Sequence, residues 1–303
     1  MLSIFKHILS GRLDDYCREA FYEPLGLRHT CFNPLEHGYQ KADCAATEIH
    51  GNTRQGQISF ENIRTDTLQG QVHDENAFYT MQGISGHAGL FSNAGDLAVL
   101  AQILVNRGGY GRHRFFDADT LDQFLKPKNA DPSFGLGWRR KAEDGYTEMF
   151  SSLCDSQTVG HSGWTGTLTL IDPIQHVVFI LLTSSRNTPL LNPEADVNDF
   201  AGCHFLISRY GVASTLVFAS ERSSRCENSA YLADLIRAKL SLIQTDPGSD
   251  SSYDRADLFA LLSAARERQS DAAILGLKKS GVWDRAVKET AFCGSRNGFR
   301  EEK

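Results

Sequence analysis

Residues 160–166, GHSGWTG, bring an imidazole, a hydroxyl and several glycines together immediately before an apolar alternation. An imidazole with an ordinary pKa of about 6.5 can carry a proton near neutral pH, and a hydroxyl can donate and accept hydrogen bonds. The alternation that follows is typical of a β-strand. Two interpretations stay open at this point. The stretch is either a tight turn that happens to carry polar residues or one wall of an active site.

A second group of polar residues lies upstream, in His73, Asp74 and Glu75 and in His87. These residues raise the question of a metal site, but no H-E-x-x-H motif is present and the two histidines lie on separate segments. The pattern favours a loop network at the border of a cleft. The sequence around Ser85, SGHAG, resembles a Gly-x-Ser-x-Gly elbow only loosely, because the strand that precedes such an elbow is missing.

The elements that position these residues follow from periodicity and turn signals. An imperfect apolar stripe predicts a helix over residues 4–21 that ends near Pro24, because a residue before proline is pushed out of the helical region. Asn93 can cap a helix whose first turn contains Asp96. A second helix is predicted over residues 119–125, and residues 134–138, FGLGW, are predicted to form a strand loosened by glycine.

The clearest hairpin in the sequence follows the GHSGWTG stretch. Its strands are predicted at residues 167–171 and 177–183, joined by a turn at residues 172–175. The second strand, VVFILLT, lacks alternation. We therefore expect it to be covered on both faces, in the middle of a sheet.

The last third of the chain has a helical pattern. Helices are predicted over residues 231–243, 253–268 and 271–289, and residues 245–252 have the composition of a linker. We expect a domain over residues 1–218 and a helical extension over 219–303.

Composition excludes several classes of function. The chain has 303 residues, a formal net charge of −6 and a pI of about 5.9, so no nucleic-acid surface is indicated. No apolar run is long enough for a membrane helix, and Lys6 and His7 interrupt any export signal at the N-terminus. The seven cysteines include no C-x-x-C pair, which argues against a zinc ribbon or a thioredoxin-type site.

Five segments together resemble a known superfamily. They are PLGLRHTCFNPL (24–35), GQVHDENAFY (70–79), SGHAGLFSNAGDLAVL (85–100), FGLGW (134–138) and GHSGWTG (160–166). In this order and spacing they are similar to the serine β-lactamase/penicillin-binding-protein superfamily. More narrowly, they resemble the class C-like D-alanyl-D-alanine carboxypeptidases of the penicillin-binding protein 4B type. The resemblance covers residues 1 to about 215, and residues 221–303 resemble no family.

The resemblance implies a role for each residue of the GHSGWTG stretch. His161 would face the nucleophile as a proton carrier or electrostatic partner, and the Ser162 hydroxyl would bind the carboxylate at the substrate's C-terminus. Gly163 would let the substrate backbone approach, and the main-chain N–H of Trp164 would be an oxyanion donor. His73, Asp74 and His87 would border the cleft. The implied substrate is a small peptide or a β-lactam-like compound, with no cofactor and no metal.

The implied fold is an incomplete α+β domain of the β-lactamase/transpeptidase type. It would contain the C-terminal antiparallel sheet and its flanking helices, without the N-terminal nucleophile region and with a helical C-terminal extension. The family chemistry uses a serine in Ser-x-x-Lys, and the one literal match is Ser3-Ile-Phe-Lys6. By the resemblance, residues 4–20 follow the family's tyrosine element, so both catalytic motifs would lie upstream of Met1.

Without that nucleophile we expect the chain to be inactive alone. Deleting the nucleophile of a serine enzyme lowers turnover about a millionfold. Three alternatives stay open: a small-molecule esterase of the same superfamily, a non-catalytic binding or scaffold protein, and a gene fragment without independent function. The family works in the periplasm or cell envelope, whereas no signal peptide is found in this chain, so the sequence leaves the compartment open.

Overall fold

A computed structural model describes residues 11–127, 130–141, 149–205, 209–224, 229–245, 252–266 and 271–295. Contacts between residues divide the chain into two compact units. The first unit comprises Met1–Gln123, Ser162–Thr169 and Ile180–Cys203, and the second comprises Phe124–His161, Leu170–Phe179 and His204–Lys303. The domain boundary expected at residue 218 stays a prediction, and that residue lies within a helix over Tyr210–Ser224.

The first described helix ends close to Pro24, as predicted, although it continues one residue past the proline to Leu25. Helix α1 over Leu13–Cys17 widens into a π-helical turn over Arg18–Tyr22 and continues as α2 over Glu23–Leu25. A proline inside a regular α-helix clashes with the carbonyl four residues earlier. The wider π turn directly before Pro24 relieves this conflict. The helix ends at Gly26, whose φ is +69°; residues 4–10 of the prediction lie outside the described residues.

Two short helices of the first unit begin at capping side chains. Asn93 accepts a hydrogen bond from the N–H of Asp96 (2.8 Å) at the start of α4 (Ala94–Val105), as predicted. Asp74 accepts one from the N–H of Ala77 (2.7 Å) at the start of α3 (Glu75–Met81). The long irregular segment between residues 33 and 75 contains only short elements. The elements between residues 31 and 114 have the bounds β1 Cys31–Phe32, β2 Ala46–Glu48, β3 Leu68–Gln69, α3 Glu75–Met81, β4 Leu90–Phe91, α4 Ala94–Val105, β5 Gly109–Tyr110 and β6 His113–Arg114, with 3-10 turns at Pro34–His37 and Lys41–Asp43. The pairs are β1 with β4, β2 with β3, and β5 with β6.

The largest sheet of the described residues has four strands, β7 (Arg139–Arg140), β8 (Val159–Gly163), β9 (Thr167–Asp172) and β10 (Val177–Leu182), in the order β10-β9-β8-β7. The predicted hairpin is confirmed, because β9 and β10 are neighbouring strands whose connecting turn is held by the Asp172 carboxylate. Among the described residues, strand β10 ends the order and residues 178–181 are only half-buried, so the prediction of a central strand covered on both faces is wrong there. The strand predicted at residues 134–138 is also wrong, because Phe134 makes only an isolated bridge and β7 begins at Arg139. The bounds are β7 Arg139–Arg140, β8 Val159–Gly163, β9 Thr167–Asp172 and β10 Val177–Leu182.

The helices of the C-terminal third are confirmed in type and pack around one central helix within the second unit. This helix, α8 (Ser252–Arg266), contacts α6 (Tyr210–Ser224), α7 (Ser229–Thr245) and α10 (Val282–Ser295). Leu258 and Leu261 on α8 are fully buried. The pattern predicted as one helix over residues 271–289 forms two, because Gly281 (φ +68°) separates them. The bounds are α5 Ala118–Leu125, α6 Tyr210–Ser224, α7 Ser229–Thr245, α8 Ser252–Arg266, α9 Ala272–Lys279 and α10 Val282–Ser295. Residues 246–251 of the expected linker lie outside the described residues.

Among the described helices, none combines the length and the apolar character needed to cross a bilayer.

The turn between β8 and β9 depends on a glycine at position 166. Its φ is +105°, and an added Cβ would lie 2.4 Å from Thr183 Oγ1 and 2.5 Å from Ser185 Oγ. We expect Gly166→Ala to lower the free energy of unfolding by the backbone cost of about 1–2 kcal/mol plus about 1 kcal/mol or more for the clash. Gly137→Ala is the matched control, because Gly137 also has a positive φ (+76°) but no atom within 4 Å of an added Cβ. If denaturant unfolding shows that both variants lose the same free energy of unfolding, the Thr183 and Ser185 contacts do not constrain the turn.

Candidate functional site

The GHSGWTG stretch ends in a tight turn fixed by main-chain and hydroxyl contacts. The N–H of Gly166 donates to the carbonyl of Gly163 (3.1 Å), and the N–H of Ser185 donates to the carbonyl of Thr165 (3.0 Å). The Thr183 hydroxyl donates to the carbonyl of Gly166. Within the described part of the chain, the N–H of Trp164 has no acceptor. A rigid turn therefore presents one main-chain donor that is not used internally.

The three residues before the turn lie at the end of β8. His161 is exposed, whereas Ser162 and Gly163 are half-buried. An added Cβ at Gly163 would lie 2.3 Å from the Thr167 hydroxyl oxygen. Packing against Thr167 inside the hairpin therefore favours glycine at this position, apart from any ligand.

The Trp164 side chain is 47% exposed and lies against two arginines. The guanidinium of Arg186 is 4.0 Å from the centre of the indole ring, and that of Arg54 is 5.6 Å from it. Both guanidiniums also face Phe200, at 5.1 Å and 5.8 Å respectively. Stacking of this kind favours a fixed indole orientation.

Arg54 belongs to a buried ionic cluster, which we define as Glu48, Arg54 and His73. Arg54 Nη1 and Glu48 Oε2 are 2.5 Å apart, and the two side chains are only 7% and 3% exposed. His73 Nε2 lies 3.0 Å from the same Glu48 oxygen, but without the angles of a hydrogen bond. Glu48 Oε1 and both ring nitrogens of His73 have no hydrogen-bond partner among the described residues. Buried polar atoms without partners are rare, so this cluster is energetically sensitive.

Arg64 organises the segment that carries this cluster. Its guanidinium donates to Asn52 Oδ1 (2.8 Å) and to the carbonyls of Val72 (2.6 Å) and His73 (2.7 Å). It also stacks on Phe78, 3.9 Å from the ring centre. A segment with little regular secondary structure is thus cross-linked through one side chain.

His87 links the start of α3 to the loop after it. Its Nδ1 is 2.5 Å from the Ser85 hydroxyl, and its Nε2 is 3.2 Å from Asp74 Oδ1. Partial burial opposes ionisation of Asp74. The N–H of Ala77 and the His87 ring outweigh this effect and hold the pKa of Asp74 below its ordinary value.

A separate cavity of about 350 Å³ lies in the first unit, beside α1 and the 3-10 turn at Pro34–His37. Its lining includes Tyr22, Arg28 and Cys31. Part of the family-resembling segment 24–35 lines it, but none of the predicted site residues His73, Asp74, His87 and 161–164 does. Across the described residues, no group of three or more His, Cys, Asp or Glu side chains is arranged to hold a metal ion.

The structure therefore connects two groups of residues that the sequence presents separately. His73 contacts Glu48, Glu48 pairs with Arg54, and Arg54 lies against Trp164. Asp74 and His87 form a second contact that does not include His73. Sequence reasoning missed Glu48, Arg54 and Arg186, because charged residues in a polar segment give no local signal of burial.

Removing the negative charge of Glu48 from the buried cluster should destabilise the folded state. We expect Glu48→Gln to lower the free energy of unfolding by about 3 kcal/mol, because Arg54 would keep its charge without its close partner. Glu75→Gln is the matched control; this acid is 3.7 Å from Arg54 and its side chain is 37% exposed, so the loss should stay below about 1 kcal/mol. Denaturant unfolding followed by circular dichroism measures both. Similar losses for the two variants would contradict the role of the cluster.

The Asp74 cap should give a pH-dependent contribution. We expect Asp74→Ala to lower the free energy of unfolding by about 1 kcal/mol at pH 7. Because the pKa of Asp74 is lowered in the folded state, this contribution is present above the ordinary aspartate pKa of about 3.9 and disappears as the pH falls below it. Unfolding midpoints between pH 3 and 7 test this, with the exposed Asp66→Ala as control. A difference from wild type that stays constant over this range would contradict it.

Comparison with known proteins places the chain among β-lactamase-related sequences. Residues 4–202 match the family described as Beta-lactamase. The chain is 48% identical over 217 residues to an Escherichia coli (strain K12) protein named "Putative D-alanyl-D-alanine carboxypeptidase", covering 72% of this chain and 50% of that protein. It is also 48% identical over 211 residues to a Bacillus subtilis (strain 168) protein named N-acetylmuramyl-L-alanine amidase, covering 69% and 48% respectively.

Solved structures give a weaker likeness. A β-lactamase from Mycobacterium bovis aligns with a TM-score of 0.43 at 16% identity, over 73% of this chain and 60% of that one. A simvastatin synthase from Aspergillus terreus aligns with a TM-score of 0.43 at 15% identity, over 72% and 53%.

The chain spans about half the length of the curated relatives that it matches. The resemblance found in the five sequence segments is confirmed, and so is the mixed α+β class with antiparallel sheets. The family match extends over about two thirds of the 303 residues. The chain therefore belongs to the Beta-lactamase family.

Proposed function

We propose that this chain forms the carboxylate-binding and oxyanion side of a serine-hydrolase site for D-alanyl-D-alanine-type peptides or β-lactam-like compounds. Family membership supports the reaction class. The names of the relatives support a substrate related to peptidoglycan. In this proposal Ser162 and Trp164 bind the substrate, and His161 carries a proton or stabilises charge.

The N–H of Trp164 is the observation that carries the proposal. When an oxygen nucleophile attacks an acyl carbon, negative charge develops on the carbonyl oxygen, and fixed N–H donors stabilise it. The turn at residues 163–166 is held by hydrogen bonds to each of its four carbonyls, while the Trp164 N–H has no acceptor within the described residues. Such a donor needs little rearrangement when the charge appears. Loss of one donor of this kind typically lowers turnover about 100- to 1000-fold.

The other residues of the stretch follow from their chemistry. A hydroxyl at Ser162 can donate to a carboxylate, and the exposed imidazole of His161 can accept or release a proton near neutral pH. His73, Asp74 and His87 border the cleft in this proposal. Of these, Asp74 and His87 have the more accessible side chains, whereas His73 is buried.

We propose further that this chain alone does not hydrolyse the substrate. The one Ser-x-x-Lys match is Ser3 to Lys6, and the resemblance gives this serine no catalytic position. Substrate binding and oxyanion stabilisation without a nucleophile leave only a small part of the rate enhancement of a serine enzyme.

The test is to measure binding and chemistry separately with diacetyl-L-lysyl-D-alanyl-D-alanine and with a penicillin. We expect saturable binding of the peptide by calorimetry, weaker binding of its L-alanyl-L-alanine isomer, and no released D-alanine. Mass spectrometry should show no penicillin adduct. Ser162→Ala should weaken peptide binding about tenfold, because a hydrogen bond to a charged group is lost.

Ser156→Ala is the control, because Ser156 is an exposed turn residue. No saturable binding by the folded chain would overturn the proposed function. A covalent adduct would overturn the absence of a nucleophile, and peptide mapping would then identify the reacting serine.

A further inference from the structure

We propose that Ser85 is an activated nucleophile, which His87 deprotonates and which accepts the acyl group of small uncharged esters. This reaction goes beyond the proposed function and uses a different segment of the chain. The side chains of residues 74, 85 and 87 are connected in series by hydrogen bonds. A hydroxyl, an imidazole and a carboxylate connected in this way are the groups that serine hydrolases use on several unrelated folds.

The contacts of His87 give its two ring nitrogens different tasks. Nε2 lies 3.2 Å from Asp74 Oδ1, and Nδ1 lies 2.5 Å from the Ser85 hydroxyl oxygen. A carboxylate can only accept, so Nε2 carries the ring proton and Nδ1 keeps a lone pair for the proton of Ser85. In the triad of the serine proteases the two nitrogens are exchanged, but either nitrogen of an imidazole can accept a proton.

The carboxylate at the end of the series is charged and fixed. Partial burial opposes ionisation of Asp74, but the N–H of Ala77 and the His87 ring outweigh it and hold the pKa of Asp74 below its ordinary value. The same N–H lies 2.7 Å from Asp74 Oδ1, at the start of α3. Asp74 therefore orients the ring and stabilises the imidazolium that forms when Ser85 loses its proton.

Two main-chain donors can stabilise negative charge at the reacting centre. The N–H of His87 donates to the Ser85 hydroxyl oxygen (3.3 Å), which favours the charge that develops there as the proton leaves. The N–H of Gly86 belongs to the residue after the nucleophile, a position that supplies an oxyanion donor in many hydrolases. Gly86 is exposed, and its N–H has no acceptor among the described residues. It can therefore bind the oxygen of an attacked ester.

The surroundings of Ser85 restrict the acyl donor. Ser85 is only 6% exposed, whereas the side chains of His87 and Asp74 are 48% and 33% exposed. A nucleophile with so little exposure suits a short acyl group and excludes a bulky bicyclic compound such as a penicillin. The negative charge of Asp74 disfavours anionic donors. The expected substrates are therefore uncharged esters of short carboxylic acids.

The reaction has two steps, and each is balanced. In the first, Ser85 Oγ forms a bond to the acyl carbon and its proton moves to His87 Nδ1. The bond from the acyl carbon to the alkoxy oxygen then breaks, and the alcohol leaves with that proton. In the second, water attacks the acyl carbon with His87 as the base, and the carboxylic acid and free Ser85 are released.

The test uses the whole folded chain with p-nitrophenyl acetate. We expect a burst of p-nitrophenolate, and peptide mapping by mass spectrometry should find one acetyl group on Ser85. Ser85→Ala keeps His87 and so measures catalysis by the imidazole alone, and its rate should be about 100-fold lower or less. Ser92→Ala is the matched control, because the Ser92 hydroxyl contacts Thr30 (2.8 Å). It should react like the parent.

Two further variants test the roles of the imidazole and the carboxylate. His87→Gln should lower the rate about 100-fold, whereas His50→Gln, at an exposed residue, should leave it unchanged. Asp74→Asn keeps an oxygen to cap α3. It should lower kcat about tenfold and leave KM nearly unchanged, because Asp74 acts through His87 without touching the ester. Circular dichroism confirms that each variant is folded.

Several results would overturn this proposal. They are no acetyl group on Ser85, a Ser85→Ala or His87→Gln variant as fast as the parent, and equal acetylation of Ser85 in the chain unfolded by urea. An Asp74→Asn variant with the parent's kcat would overturn the positioning role of the carboxylate. Peptide binding through residues 161–164 is measured independently, so all of these results would leave the proposed function standing.

Discussion

The buried pair between Arg54 and Glu48 is the interaction on which the candidate site depends. It places a charged guanidinium beneath the indole of Trp164 and fixes the polar segment that approaches from residues 46–75. A pair that is less than one tenth exposed is stabilising only while its geometry is kept, since either charge alone would be strongly unfavourable there. The segment is therefore ordered by ionic contacts more than by secondary structure, with Arg64 as a second cross-link.

In the candidate site, the main-chain N–H donor and the positive charges are held in place by different contacts. The turn at residues 163–166 is fixed by hydrogen bonds from β8 and from the residues after β10, and it presents an N–H of the backbone. The positive charge comes from Arg186 and Arg54, which lie on different segments. A substitution that removes the charge can thus leave the main-chain donor in place. In the proposed function, such a division would let ligand recognition vary while the turn itself is retained.

Local signals allowed part of this structure to be predicted from the sequence. The helix after Asn93 and the hairpin after the turn each depend on residues within one element, and both were found. The edge position of β10 and the pairing of Arg54 with Glu48 depend on distant neighbours, which no single-sequence pattern contains. The passage of the first helix through Pro24 needed a π turn, for which the residues give no clear signal. The family was recognised because its motifs occur in a fixed order, although the residues that surround Trp164 were not.

The close approach of Thr167 to Gly163 bears on how related sequences should be interpreted. Because the threonine hydroxyl occupies the space of a Cβ at 163, retention of glycine there reports on hairpin packing as much as on catalysis. Covariation between the two positions is the expected evolutionary signature. Relatives with a smaller residue at 167 are free to accept alanine at 163, and a lineage could change this pair without altering its chemistry.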